Sequence, residues 1–195
     1  DGGYYFPVKI LDIKEALDLN NYYQETKKKA VSKNLIFEHK FKSHLIFKKI
    51  NELIKNKKIL DIVEGFIGPN ILCWNSIIFY KKRYSKTFVG WHEDKTYWNL
   101  DNDKVLTFSI ALSNSKTENG CLKFLKKKRS VEYEILKSKE NMLARGQNAI
   151  LNDKDSYENI ELNPGEACIF GQDAVHGSGE NQSNEDRFLL AIRYI

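Results

Sequence analysis

The chain has 195 residues, with 31 Lys and Arg against 26 Asp and Glu for a net charge of +5, and is 42% hydrophobic and 29% charged. That is length for one domain with a real core and the composition of a water-soluble globular protein. The mild positive balance suits an anionic small molecule and argues against nucleic acid as a partner, because acidic residues are interspersed among the lysines. No apolar run approaches the roughly 18 residues of a membrane span, and no signal peptide is visible, so the expected setting is cytoplasmic, with no membrane partner. The chain opens on Asp1 without Met and stops after "AIRYI", which leaves open whether it is a piece of a longer protein. Cys73, Cys121 and Cys168 are far apart in apolar runs and are read as reduced, buried thiols.

Residues 1–70 read as helical. Asp12 with Glu15 has the spacing of a capping box, and Ile13, Ala16, Leu17 and Tyr23 recur at helical intervals. "TKKKAVSKN" reads as a solvated helix end. A second stripe runs through Leu45, Ile46, Ile50, Leu53 and Ile54, continues through Ile59, Ile62 and Val63, and ends at Gly68-Pro69. From Ile71 the period changes to two. "ILCWNSIIFY", "KVLTFSIAL", "GCLKFL", "NAILN", "ENIELN", "EACIF" and "RFLLAIRYI" read as strands, with "NPG" as a tight turn between two of them. So many short strands predict a mainly β protein with a jelly-roll core over 71–195, the helices of 1–70 packing outside it, all in one domain.

There are four histidines, His39, His44, His92 and His176. His39 and His44 lie in the basic helical part and are read as surface or capping residues. In "GWHEDKTYW", His92 and Asp94 are two apart; on a strand they would share a face while Glu93 points away. His176, in "AVHGSGENQS", is placed just beyond a strand. Two His and one carboxylate can hold a metal on one face and leave positions open, as in non-haem Fe(II) oxygenases, and Zn²⁺ is chemically possible too. The spacing leaves open that His92 and Asp94 form a surface pair and His176 a loop residue.

Eleven residues after His176, Arg187 begins "RFLLAIRYI". Alternation puts Arg187, Leu189, Ala191, Arg193 and Ile195 on one face. If that face looks inward, two guanidinium groups enter a confined space and call for an anion, which Arg grips through two parallel hydrogen bonds. If the strand is an edge, both arginines pair with surface acids such as Glu185 or Asp186. Trp91, Tyr97 and Trp98 are candidate pocket walls or plain core, and Lys81 and Arg145 are candidate substrate-anion contacts or solvated charges.

Several blocks together resemble the phytanoyl-CoA dioxygenase family of Fe(II)/2-oxoglutarate oxygenases: "WHEDKTYW", "ENGCLKF", "LARGQ" and "HGSGENQSNEDRFLLAIRY", with "DGGYYFPVKIL" similar to the family's opening. The resemblance covers most of the chain. It implies a double-stranded β-helix core, Fe(II) on His92, Asp94 and His176, and the distal carboxylate of 2-oxoglutarate on Arg187 with Ser178. Arg193 would touch the cosubstrate, a substrate anion or a neighbouring acid. The implied activity is O₂-dependent hydroxylation of a C–H bond in a small or acyl-type substrate, giving succinate and CO₂. The same oxidant could serve desaturation, cyclisation or C–P or C–N cleavage, and a non-catalytic binding module keeps the fold alone. Two departures stand out: "LKKKRS" replaces the usual Pro-Gly-Ser-His turn, and Ser109 stands where a Trp is common. Related halogenases carry Ala or Gly at the carboxylate position, so Asp94 points to hydroxylation.

Overall fold

The computed structural model describes residues 2–33, 41–98, 100, 104–143 and 145–195. Two antiparallel sheets face each other. The larger has the order β1 (Tyr4–Lys9), β9 (Glu166–Gly171), β4 (Leu106–Ala111), β11 (Arg187–Tyr194), β2 (Cys73–Lys81). The smaller has β3 (Val89–His92), β10 (His176–Ser178), β5 (Leu122–Leu125), β8 (Tyr157–Ile160), and a two-stranded ribbon joins β6 (Tyr133–Ile135) to β7 (Gln147–Ala149). This is the expected jelly roll, with one correction: residues 1–70 are not all helical, because Tyr4–Lys9 forms β1 and pairs with β9 as an edge strand of the core.

The helices cover the outer face of the larger sheet. In α1 (Ile13–Ser32) the Glu15 carboxylate accepts from the Asp12 N–H at 2.8 Å, satisfying one of the free donors of the first turn. Its buried stripe is Ala16, Leu19 and Tyr23; Ile13 and Leu17, expected inside, are 58% and 41% exposed. The second helical pattern is split into α2 (Lys48–Leu53) and α3 (Lys57–Ile67), because Asn56 caps α3 by accepting from the Lys58 N–H. Ile50, Leu53, Ile54, Ile59 and Val63 are buried as expected, whereas Leu45 and Ile46 precede α2 and are exposed. The helices meet Phe188, Leu190, Ile192 and Tyr194 from one face of β11 and Phe108 and Ile110 from β4. Each such side chain taken from water contributes about 1.5–3 kcal/mol, so this layer fixes β11 firmly.

The opposite face of β11 looks between the sheets. There Leu189 packs with Phe124, Phe170, Cys168 and Ile160, closing one side of the sandwich. Gly165, at φ +90°, makes the turn into β9 that "NPG" signalled; a Cβ there would lie 2.3 Å from the Leu11 carbonyl oxygen. The cysteines are free thiols, Cys121 and Cys168 buried and Cys73 partly so. His44, expected at the surface, is buried, with Nδ1 2.8 Å from Ser76 Oγ; His39 lies outside the described residues. No helix among the described residues is long and apolar enough to cross a membrane.

Candidate active site

A cavity of about 440 Å³ opens between the sheets. β11 supplies Arg187, Leu189, Ala191 and Arg193 to its wall, the alternate residues that the period-two reading grouped. β11 lies between β4 and β2, so the edge-strand alternative fails. Asp186 does not hold Arg187 either: it accepts from the Tyr80 hydroxyl at 2.9 Å and the Arg83 N–H at 2.8 Å.

Register builds the histidine pair. His176 stands directly opposite His92 where β10 meets β3, with ring centroids 4.2 Å apart. His176 opens β10 and is not beyond a strand. Each ring donates from Nδ1 to a backbone carbonyl at 2.9 Å, Gly90 for His92 and Ala174 for His176. That tautomer leaves both Nε2 lone pairs free for a cation. Asp94 is not on the strand, which ends at His92; it sits in the turn entering α4 (Lys95–Trp98), its carbonyl accepting from the Tyr97 N–H at 3.0 Å. The turn still brings Asp94 Oδ1 to 3.5 Å from His92 Nε2. Donor atoms of His92, Asp94 and His176 all lie within 4.8 Å of one another, and all three residues are buried. Glu93 faces elsewhere, accepting from Lys95 at 2.8 Å and the Tyr133 hydroxyl at 2.6 Å.

The electrostatics suit a cation. Burial pulls the Asp94 carboxyl upward, but Arg193 and the two histidines outweigh it and hold the group below the usual carboxylate range. Burial, then His92, lowers His176 to about 3, so its ring stays neutral at ordinary pH. Two buried imidazoles and a carboxylate are a donor set for a divalent transition metal.

Arg193 leans on the constellation. Its Nε and Nη2 donate to Asp94 at 3.3–3.4 Å, its guanidinium lies 5.0 Å from the centre of the Trp98 ring, and Nη1 is buried without a partner. Of the three roles the sequence left open, the contact present is with the acid. Arg187 is 1% exposed, its Nε has no partner, and no carboxylate pairs with it among the described residues. Burial lowers it from 12.5 to about 10.

Lys81 faces Arg187 across the β2–β11 pair and is fully buried, so the solvated reading is wrong. Its Nζ donates to Ser178 Oγ at 2.7 Å and to the Gly179 carbonyl. Burial, then Arg187, lowers Lys81 to about 6.

Tyr97 and Trp98 line the cavity, Trp98 packing against Trp74 with centroids 5.0 Å apart. Trp91 does not: it alternates with His92 and turns outward onto Tyr157, with centroids 5.6 Å apart, beside Leu125 and Val175. Arg145 lines the rim, donating to the Thr96 carbonyl at 3.3 Å with its guanidinium 5.7 Å from the Tyr97 ring centre. Ser109 lies in the wall, a small residue where a Trp would fill space. "LKKKRS" is tied down outside the cavity, Lys128 to Asp173 and Arg129 to Asp155. Phe41, Met142 and Leu143 also line the cavity; nothing in their spacing marked them.

A jelly roll holding two histidines and a carboxylate beside an unpaired buried arginine defines the class of cupin-like non-haem metal proteins. The phytanoyl-CoA dioxygenase (PhyH) family matches residues 12–189, and the chain belongs to that family. A relative from Stutzerimonas stutzeri named "Probable alpha-ketoglutarate-dependent hypophosphite dioxygenase" is 29% identical over 180 residues, 90% of this chain and 62% of the relative. "Methylphosphonate hydroxylase" of Gimesia maris (strain ATCC 29201 / DSM 8797 / 534-30) is 26% identical over 145 residues, 74% of this chain and 53% of the relative. The chain thus spans less than two thirds of either. The solved structure "Non-heme monooxygenase, ThoJ-Ni complex" superposes with a TM-score of 0.78 at 27% identity, covering 99% of this chain and 73% of the other.

Proposed function

We propose that the chain is a single Fe(II)- and 2-oxoglutarate-dependent dioxygenase domain that hydroxylates a C–H bond of a small, anionic substrate. The observation that carries this is one cavity holding both a buried His-Asp-His donor set and, on the same wall, an arginine with no anion of its own. His92 and His176 would give Nε2 and Asp94 a carboxylate oxygen to Fe(II). Arg187 would hold the distal carboxylate of 2-oxoglutarate, with Ser178 beside it and Lys81 behind. Bound there, iron and cosubstrate supply the power to insert an atom of O₂ into a C–H bond, with succinate and CO₂ released.

The protein's own part is to bind, orient and exclude water. The Nδ1 bonds to Gly90 and Ala174 fix the imidazole planes. Arg193 steers Asp94 and keeps it ionised. Phe170, Leu189 and Phe79 keep the interior apolar. The relatives' names support a small phosphorus-containing anion, with C–P cleavage as a later consequence when the oxidised carbon adjoins phosphorus. The intact donor set opposes a non-catalytic module, and free thiols accord with a cytoplasmic setting. The test is succinate release in air from 2-oxoglutarate and Fe(II) across a panel of small phosphonates, phosphinates and carboxylates. Substrate-stimulated succinate is expected with at least one; none with any, beside an active control enzyme, would sink the proposal.

A further inference from the structure

Charge in the cavity wall is unbalanced. Among its described lining residues, Arg145, Arg187 and Arg193 are cationic and Asp94 alone is anionic. A divalent metal and a dianionic cosubstrate cancel each other, so the excess of two positive charges survives when both are in place. Uncompensated charge is costly where it is buried, as at Arg187 and Arg193, unless a further anion arrives; Arg145 is exposed at the mouth, where its charge is hydrated and free to meet an incoming anion.

The excess has a location. Arg187 and Arg193 leave β11 about 20 Å apart, at roughly 3.3 Å per residue, so they serve different regions. At the Arg193 end, Nε and Nη2 are taken by Asp94 but Nη1 is buried with no partner, on a side chain only 6% exposed. Arg145 spends one N–H on the Thr96 carbonyl, and among the described residues no carboxylate pairs with it. A guanidinium has five N–H donors, so most of its capacity is open. Arg145 rides on Tyr97 and Arg193 on Trp98, consecutive residues of the turn that starts beside Asp94. Both guanidinium groups are therefore seated next to the donor set, one at the rim and one inside.

We propose that Arg145, assisted by Nη1 of Arg193, grips the anionic headgroup of the primary substrate, and that this substrate is a small oxyanion whose oxidised carbon lies close to its charge. This rests on the reading of the same cavity as an Fe(II)/2-oxoglutarate site. Size agrees: about 440 Å³ is near the low end for one drug-sized ligand, and this cavity must admit cosubstrate as well. Recognition by guanidinium forks selects planar or tetrahedral oxyanions over neutral isosteres.

The test uses the chain loaded with Ni(II) and 2-oxoglutarate, titrated calorimetrically with methylphosphonate, propionate and the neutral dimethyl methylphosphonate. At least one anion is expected to bind, and the neutral ester at least tenfold more weakly. Arg145→Gln should weaken the anion by about ten- to hundredfold, the loss of a charge-assisted contact, with 2-oxoglutarate affinity kept within twofold and Arg145→Lys partly restoring binding. Because Arg145 is at the rim, an unchanged melting temperature should accompany the change. Equal binding of ester and anion, no binding of either anion, or an unaffected Arg145→Gln would overturn the proposal alone. Failure of the Ni(II)-loaded wild type to bind 2-oxoglutarate would instead remove the reading beneath it.

Discussion

Replacing Arg187 by Met separates a built anion site from a structural ion pair. The side chain is 1% exposed and holds its charge with no carboxylate at hand. Burial moves it from 12.5 to about 10, which at about 1.4 kcal/mol per pH unit means roughly 3 kcal/mol spent keeping it charged in the ligand-free fold. An apolar side chain of similar length relieves that cost. Ligand-free Arg187→Met should therefore melt no lower than wild type and gain at most about 3 kcal/mol, each kcal/mol worth about 2–4 °C in a chain of this size. The opposite sign is expected for the cosubstrate: losing a charge-assisted contact of about 1.5–3 kcal/mol weakens 2-oxoglutarate by roughly 10- to 150-fold. Thermal melts and calorimetry on Ni(II)-loaded protein, with and without 2-oxoglutarate, read both. A variant that melts several degrees lower, yet binds 2-oxoglutarate like wild type, would refute the reasoning.

Lys81, lowered to about 6, is largely neutral at pH 7.5 and should take up close to one proton when 2-oxoglutarate arrives beside Arg187; calorimetry in two buffers of different ionisation enthalpy should show that uptake and Lys81→Met should lose it, whereas buffer-independent heats in wild type would contradict it. His176 is depressed from 6.5 to about 3, so between those values the unfolded chain binds a proton that the folded one refuses. Stability of the metal-free protein is then full above pH 6.5 and falls, by up to about 5 kcal/mol, as pH drops toward 3; urea titrations should show this slope flattened in His176→Gln, and an equal slope in both would count against it. Arg193→Gln removes the cation that keeps Asp94 ionised, so loss of Ni(II) binding on acidification should move up by about one pH unit or more, and an unmoved acid limb would deny Arg193 that role.

The jelly roll was legible because the period changed near Ile71, and the faces of β11 because strict alternation separates Phe188, Leu190 and Ile192 from Arg187, Leu189 and Arg193. The donor set was legible as a composition, two His and an Asp beside a later Arg. Its geometry was not: Asp94 reaches its place from a helical turn, which the i, i+2 spacing does not distinguish from a strand. The Arg193–Asp94 contact joins residues 99 positions apart and crosses from the larger sheet to the turn after β3 of the smaller one, so no local spacing reveals it. Lys81 misled because Lys is rarely buried whole; only the pairing of β2 with β11 reveals that it shares a compartment with Arg187. Trp91 misled in reverse, since an aromatic next to a ligand reads as a wall until alternation assigns it to the other face.

Joint binding of Fe(II) and 2-oxoglutarate in this cavity is measured most directly by anaerobic titration of the metal-free chain with both, followed by visible absorption. A weak charge-transfer band is expected that saturates at one iron per chain, is absent in Asp94→Ala and His176→Ala, and needs far more 2-oxoglutarate in Arg187→Met. No band in the wild type, or a band of full intensity in Asp94→Ala, would contradict it.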